Sequence, residues 1–77
     1  MTHNLPEPIN LAHGTEFYTT YVGGSEPCTM IGLIYDNPTE VIVFRRETGE
    51  YVAKSRSSFE YSTKIGLYTT KPRETDA

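Results

Sequence analysis

The chain has 77 residues, a formal net charge of −3 and a pI near 5.2, which makes it one small domain that is too acidic overall to bind a long polyanion indiscriminately. Its single cysteine, Cys28, excludes an internal disulfide framework and a multi-cysteine zinc site. No apolar run approaches the roughly 20 residues that span a bilayer, and the N-terminus lacks a basic stretch followed by an apolar one, so a cytoplasmic location is expected.

In chain order, residues 1–10 contain Pro6 and Pro8 among polar residues. They read as an extended or disordered arm, with Ile9 and Leu11 anchoring its end against the core. A single β domain is expected over 11–70. His13-Gly14 forms a turn into the strand Glu16–Val22, whose alternation puts Phe17, Thr19 and Tyr21 on one face. Gly23 to Pro27 reads as a loop. The second strand runs from Cys28 to Tyr35, with Cys28 a small buried residue at its start. Gly32 in its middle predicts a bulge or bend. Asp36-Asn37-Pro38-Thr39 then makes a turn.

The segment 40–55 is the centre of the sequence, because Val41-Ile42-Val43-Phe44 is its densest β-branched and apolar run. A two-residue hairpin loop at Thr48-Gly49 would oppose Glu47 to Glu50. A three-residue loop, Glu47-Thr48-Gly49, instead puts Gly49 at the left-handed position of a type I turn with a G1 bulge. That register sets Arg46 opposite Glu50, Phe44 opposite Val52 and Ile42 opposite Lys54, and favourable pairs of this kind contribute roughly 0.2–1 kcal/mol each. Ile42, Phe44 and Val52 then share one face, and Val41, Val43, Tyr51 and Ala53 the other. Both faces carry apolar groups, so the hairpin is expected to be covered on both sides, by a core on one and by a chain terminus, a second subunit or a partner on the other.

One short helical turn is expected near 56–60, capped by serines, with Phe59 tucked into the core. A last strand is expected over Lys64–Thr70, followed by a disordered tail at 71–77. The class is all-β, a small five-stranded strongly bent sheet or SH3-like barrel, with an OB-like barrel as second choice.

Chemistry is sparsely signalled. His3 and His13 have no partner at metal-ligand or catalytic-triad spacing, and no phosphate loop, nucleophile elbow or zinc-protease motif occurs. Neither a catalytic set nor a cofactor is expected, and the protein reads as a non-enzyme. Binding has more support. Six tyrosines and three phenylalanines exceed what so small a core can hide, and tyrosine suits interfaces. All seven basic residues lie after Phe44, interleaved with aromatics. Arg45, Arg46, Tyr51, Lys54, Arg56 and Tyr61 are therefore the candidate ligand- or partner-binding residues. The plainer reading has these cations on a solvated face, paired with glutamates.

The stretch Glu40-Val41-Ile42-Val43-Phe44-Arg45, followed after a gap by Tyr51-Val52-Ala53-Lys54-Ser55-Arg56-Ser57-Ser58-Phe59-Glu60, resembles an uncharacterised family of small bacterial and phage domains. That family carries a V-V-Y-R strand and a W-V-R-P-L-E-x-F segment. His13-Gly14-Thr15-Glu16-Phe17-Tyr18 is similar to its glycine-then-aromatic start. The family's tryptophan falls at Val52, its arginine at Lys54 or Arg56, and its proline has no counterpart. The resemblance implies a small SH3-like β fold from a bacterium or phage, and brings no known activity or site residues.

The first functional expectation is a non-enzymatic module that binds a protein, a phage or bacterial product inhibiting or modulating a host protein in the host cytoplasm. The alternative is a binder of a nucleotide, a phosphorylated small ligand or a short nucleic acid through the basic and aromatic residues. A homo-oligomer through the Val41/Val43 face is a third form of partnership, while a long nucleic acid fits the charge balance poorly.

Overall fold

A computed structural model of the chain describes residues 7–72. The remainder of the expected arm and tail, 1–6 and 73–77, lies outside the described residues. The elements are β1 (Glu16–Tyr21), β2 (Gly24–Asp36), β3 (Thr39–Arg46), β4 (Tyr51–Ser55), α1 (Arg56–Lys64) and β5 (Tyr68–Thr69). All five strands join one antiparallel sheet in the order β4-β3-β2-β1-β5. This is the bent five-stranded sheet. Among the described residues, β4 and β5 are its two edges, with no ladder between them, and α1 packs against β3, β4 and β5.

The bend follows from the side chains. In a flat sheet β3 and β5 would lie three strand spacings apart, about 14 Å, yet the rings of Phe44 and Tyr68 have centroids 5.5 Å apart. Phe17 of β1 and Phe59 of α1 join them, and every ring pair in this group of four lies between 5.0 and 6.1 Å, mostly edge to face. The curl is helped by a bulge in β2. Met30 pairs with Phe44 and Gly32 with Val43, which leaves Ile31 as the extra residue. Around the rings, Ile9, Cys28, Met30 and Ile42 complete the core, with Leu11 and Val52 packed on it. The anchoring role expected of Ile9 and Leu11 is what the fold uses them for.

Three expected boundaries move, each for a local reason. The predicted loop at 23–27 belongs largely to β2, because Tyr21 pairs directly with Gly24 and the turn is only Val22-Gly23. Pro27 is tolerated in that strand because there β2 pairs with β1 alone and β3 joins only from Cys28. The helical turn expected at 56–60 continues to Lys64, with Ser55 as N-cap accepting a hydrogen bond from the Ser58 amide at 3.3 Å. Its buried face beyond Phe59 is Ser62 and Thr63, polar residues that hide the helical period, and the Thr63 hydroxyl is satisfied by the Phe59 carbonyl at 3.0 Å. The helix then takes the first part of the strand expected from Lys64. It ends in a Schellman motif, in which Leu67 N–H donates to the Ser62 carbonyl and Gly66 N–H to the Thr63 carbonyl, with Gly66 at φ +87°. Only Tyr68–Thr69 remains to pair with β1.

Phe17 has no exposed surface and touches all three other rings. Phe17→Ala is expected to cost about 3–5 kcal/mol, a large share of the stability of so small a domain. Tyr61→Ala, on the solvent side of α1, should stay within about 0.5 kcal/mol of wild type. Urea unfolding of both variants checks the contrast.

Candidate functional site

The hairpin register decides which side chains are available. β3 pairs with β4 through Phe44–Val52, Ile42–Lys54 and Val43–Ala53. The loop closes with Arg46 N–H donating to the Glu50 carbonyl and Gly49 N–H to the Arg46 carbonyl, and Gly49 sits at φ +94°. This is the three-residue loop expected from the charge argument. Ile42 and Phe44 face the core. Val41, Val43, Ala53 and Tyr51 therefore face outward, where no described element covers them.

β2 extends that outer face. Direct cross-strand partners point to the same side of a sheet, so the ladder lays out three rows, Ile34–Val41–Ser55, Gly32–Val43–Ala53 and Thr29–Arg45–Tyr51. Ile34 is 53% and Tyr51 62% exposed, while Val41 and Val43 are half-buried between their neighbours. Gly32 has no side chain, and the space where one would stand is open. Asp36, opposite Thr39, marks one end of the face and Arg45 the other.

Of the six candidate binding residues, the structure joins Arg45 and Tyr51 as a cross-strand pair on the outer face. Lys54 lies opposite Ile42, on the inner side of edge strand β4, and Tyr61 is exposed on α1. The other two are held by carboxylates. Arg46 grips Glu26 bidentately, Nε to Oε2 at 3.0 Å and Nη2 to Oε1 at 3.1 Å, and donates from Nη1 to Glu50 Oε1 at 2.7 Å. Arg56 donates from Nη1 to both Glu40 oxygens, at 3.2 and 3.3 Å, and from Nε to Glu60 Oε2 at 3.1 Å. These hydrogen bonds raise both guanidinium pKa values further, Arg46 chiefly through Glu26 and Arg56 chiefly through Glu60. The six residues thus do not converge on one basic and aromatic site.

Two hollows flank α1. One, about 430 Å³, is lined by Ile9, Leu11, Ile42 and Phe59 with Arg56, Glu60 and Lys64 among its polar residues. The other, about 580 Å³, lies where Pro38 and Glu40 meet Ser55, Ser57, Arg56 and Glu60. Neither contains a histidine or cysteine. Among the described residues no group of three or more His, Cys, Asp or Glu could hold a metal ion. Cys28 is buried, burial pushes its thiol pKa up, and Thr19 Oγ1 lies 3.1 Å from its sulfur, so it is held as the neutral, unreactive thiol. No helix among the described residues is long and apolar enough to cross a membrane.

Gly32, Ile34 and Asp36 are among the outer-face residues that the candidate set misses. The signal for them lay in the turn. Asn37-Pro38 is a two-residue connection between the paired Asp36 and Thr39, and counting back from it puts Ile34 opposite Val41.

The Arg46 fork gives a pH dependence with a definite sign. The hydrogen bonds from Arg46 hold the Glu26 carboxyl below its ordinary value. Its contribution is therefore fully present above the unfolded carboxylate pKa and is lost as pH falls through the folded one. Glu26→Gln should melt below wild type at neutral pH. The gap should close as pH falls through the carboxylate range, as read by thermal melts across that range.

In comparisons with protein-family models, curated proteins and solved structures, nothing matches this chain.

Proposed function

We propose that the domain is a non-enzymatic binding module that docks a protein on the outer face of its sheet. The observation that carries this reading is the uncovered apolar centre at Val41, Val43 and Ala53, flanked by exposed Ile34 and Tyr51. An aliphatic centre with aromatic and charged residues around it has the make-up of an interface core and rim. The face is also rigid, because each of its residues sits on a hydrogen-bonded strand, so little ordering cost opposes docking. In this reading the domain inhibits or modulates whatever protein it covers. The nucleotide alternative draws less support, because Arg46 and Arg56 each serve two carboxylates within the chain.

A photo-cross-linking amino acid placed at Ala53, beside Val43 on the outer face, should yield a protein adduct in the cells that express the domain. The same group at Tyr61, on the exposed side of α1, should yield none. Absence of an adduct from Ala53, or equal adducts from both positions, would overturn the reading.

A further inference from the structure

A third hollow, of about 230 Å3, opens on the inner side of the sheet at the end away from α1. β3 gives its direction, since Ile42 lines the hollow beside α1 while Phe44 and Arg46 line this one. All five strands reach it, through Thr19 of β1, Glu26 of β2, Phe44 and Arg46 of β3, Val52 of β4 and Tyr68 of β5. The curl of the sheet thus brings side chains from its two edge strands, β4 and β5, to one space. We infer that this space is a binding site for a small uncharged molecule that carries a hydrogen-bond-accepting oxygen on a compact apolar body. The inference is independent of the outer face, because these side chains belong to the opposite side of the sheet.

The Tyr68 hydroxyl carries the argument. Tyr68 is 3% exposed, and its ring is enclosed by Phe17, Phe44 and Phe59, with centroids 5.0–5.8 Å away. The hydroxyl end is what is left to face the hollow. No buried side-chain polar atom among the described residues is both fully sealed and unpartnered, so this oxygen reaches the open space. A buried tyrosine ordinarily finds a partner for its O–H, yet this one makes no hydrogen bond among the described residues. The other polar side chains of the lining are engaged. Thr19 Oγ1 lies 3.1 Å from Cys28 Sγ, Thr20 Oγ1 donates to the Gly66 carbonyl at 2.9 Å, and Tyr21 Oη donates to the Ser25 carbonyl at 3.5 Å. Glu26 and Arg46 hold each other. Burial pushes the Tyr68 pKa up, so the group stays a neutral donor, and an acceptor oxygen is its complement.

The charges at the mouth exclude an ionic ligand. An anion would have to displace Glu26 or Glu50 from Arg46, which already serves both. A cation would meet a carboxylate whose two oxygens each accept from the guanidinium, at 3.0 and 3.1 Å. Either ion would be desolvated without gaining a free counter-charge. A neutral molecule disturbs neither pair. Its apolar body lies against Phe44, Val52 and the Tyr68 ring. The hollow is smaller than the about 300–1,000 Å3 of sites for drug-sized molecules, which limits the ligand to a small one.

Cyclohexanone tests this, since it places one carbonyl oxygen on a small hydrocarbon ring. In an NMR titration of the full chain it should shift the Val52 methyl and Tyr68 ring signals saturably, with a dissociation constant of about 1 mM. The methyl signals of Ile34, on the outer face, should not move. Cyclohexylammonium and cyclohexanecarboxylate should bind at least about tenfold more weakly. Tyr68→Phe removes only the hydroxyl, and should weaken cyclohexanone about fivefold without lowering the melting temperature, because the lost group has no partner in the fold. Absence of a saturable shift up to about 20 mM would show that the hydroxyl meets water alone and would overturn the inference. So would charged analogues that bind as well as the ketone, a Tyr68→Phe variant that binds it like wild type, or one that melts lower.

Discussion

Four aromatic rings, from β1, β3, α1 and β5, meet on the inner side of the sheet, and the rest of the structure is arranged to let them. Bringing Phe44 and Tyr68 together from strands three spacings apart requires the sheet to curl, and the bulge at Met30–Gly32 supplies part of the curvature. The same cluster fixes the place of α1, since Phe59 stacks on Tyr68 at 5.0 Å. Burying a phenylalanine side chain is worth about 1.5–3 kcal/mol, so these rings dominate the favourable terms of so short a chain. Their cost is asymmetry. With the large apolar groups gathered on one side, nothing in the described chain is left to cover Val41, Val43 and Ile34 on the other.

The charges follow the same geometry. Acidic residues alone occupy the sequence up to Phe44, and every basic residue follows it, a pattern that reads as two faces of opposite sign. Antiparallel folding turns it into internal pairing instead. Glu26 of β2 meets Arg46 at the end of β3, and Glu40 at the start of β3 meets Arg56 at the start of α1. The segregation along the chain is largely cancelled in space. Exposed charges on the outer face include Asp36 at one end, and Arg45 and Glu16, either side of Thr29, at the other.

Much of this was legible because local rules settle it. The three-residue loop followed from keeping Glu47 away from Glu50 and giving Gly49 its left-handed position, and that loop sets the whole β3–β4 register. The period-two pattern of Phe17, Thr19 and Tyr21 placed β1 correctly. The length of α1 was not legible, because its buried positions after Phe59 are Ser62 and Thr63, polar residues that advertise no apolar stripe, with the Thr63 hydroxyl bonding back to the Phe59 carbonyl. Pro27 inside a strand was hidden for a related reason, since proline is tolerated only where a neighbouring strand is missing, and that is a property of the sheet. The surroundings of the candidate binding residues were the least legible. A cation's availability depends on which carboxylate the fold brings to it, and Arg46 finds its partner twenty positions away. Which hairpin face is covered was likewise undecidable from alternating apolar residues, and only the position of the ring cluster settles it.

The central claim is that the inner face of the sheet makes the core while no described element covers the outer face. Methyl NMR with a soluble paramagnetic probe tests it most directly, because it reads each aliphatic side chain by its access to solvent. Ile42, with no exposed surface, is expected to be protected, and Ile34, 53% exposed on the outer face, to be bleached in dilute solution. Protection of Ile34 in dilute solution would contradict the uncovered outer face, and bleaching of Ile42 would contradict the fold on which it rests.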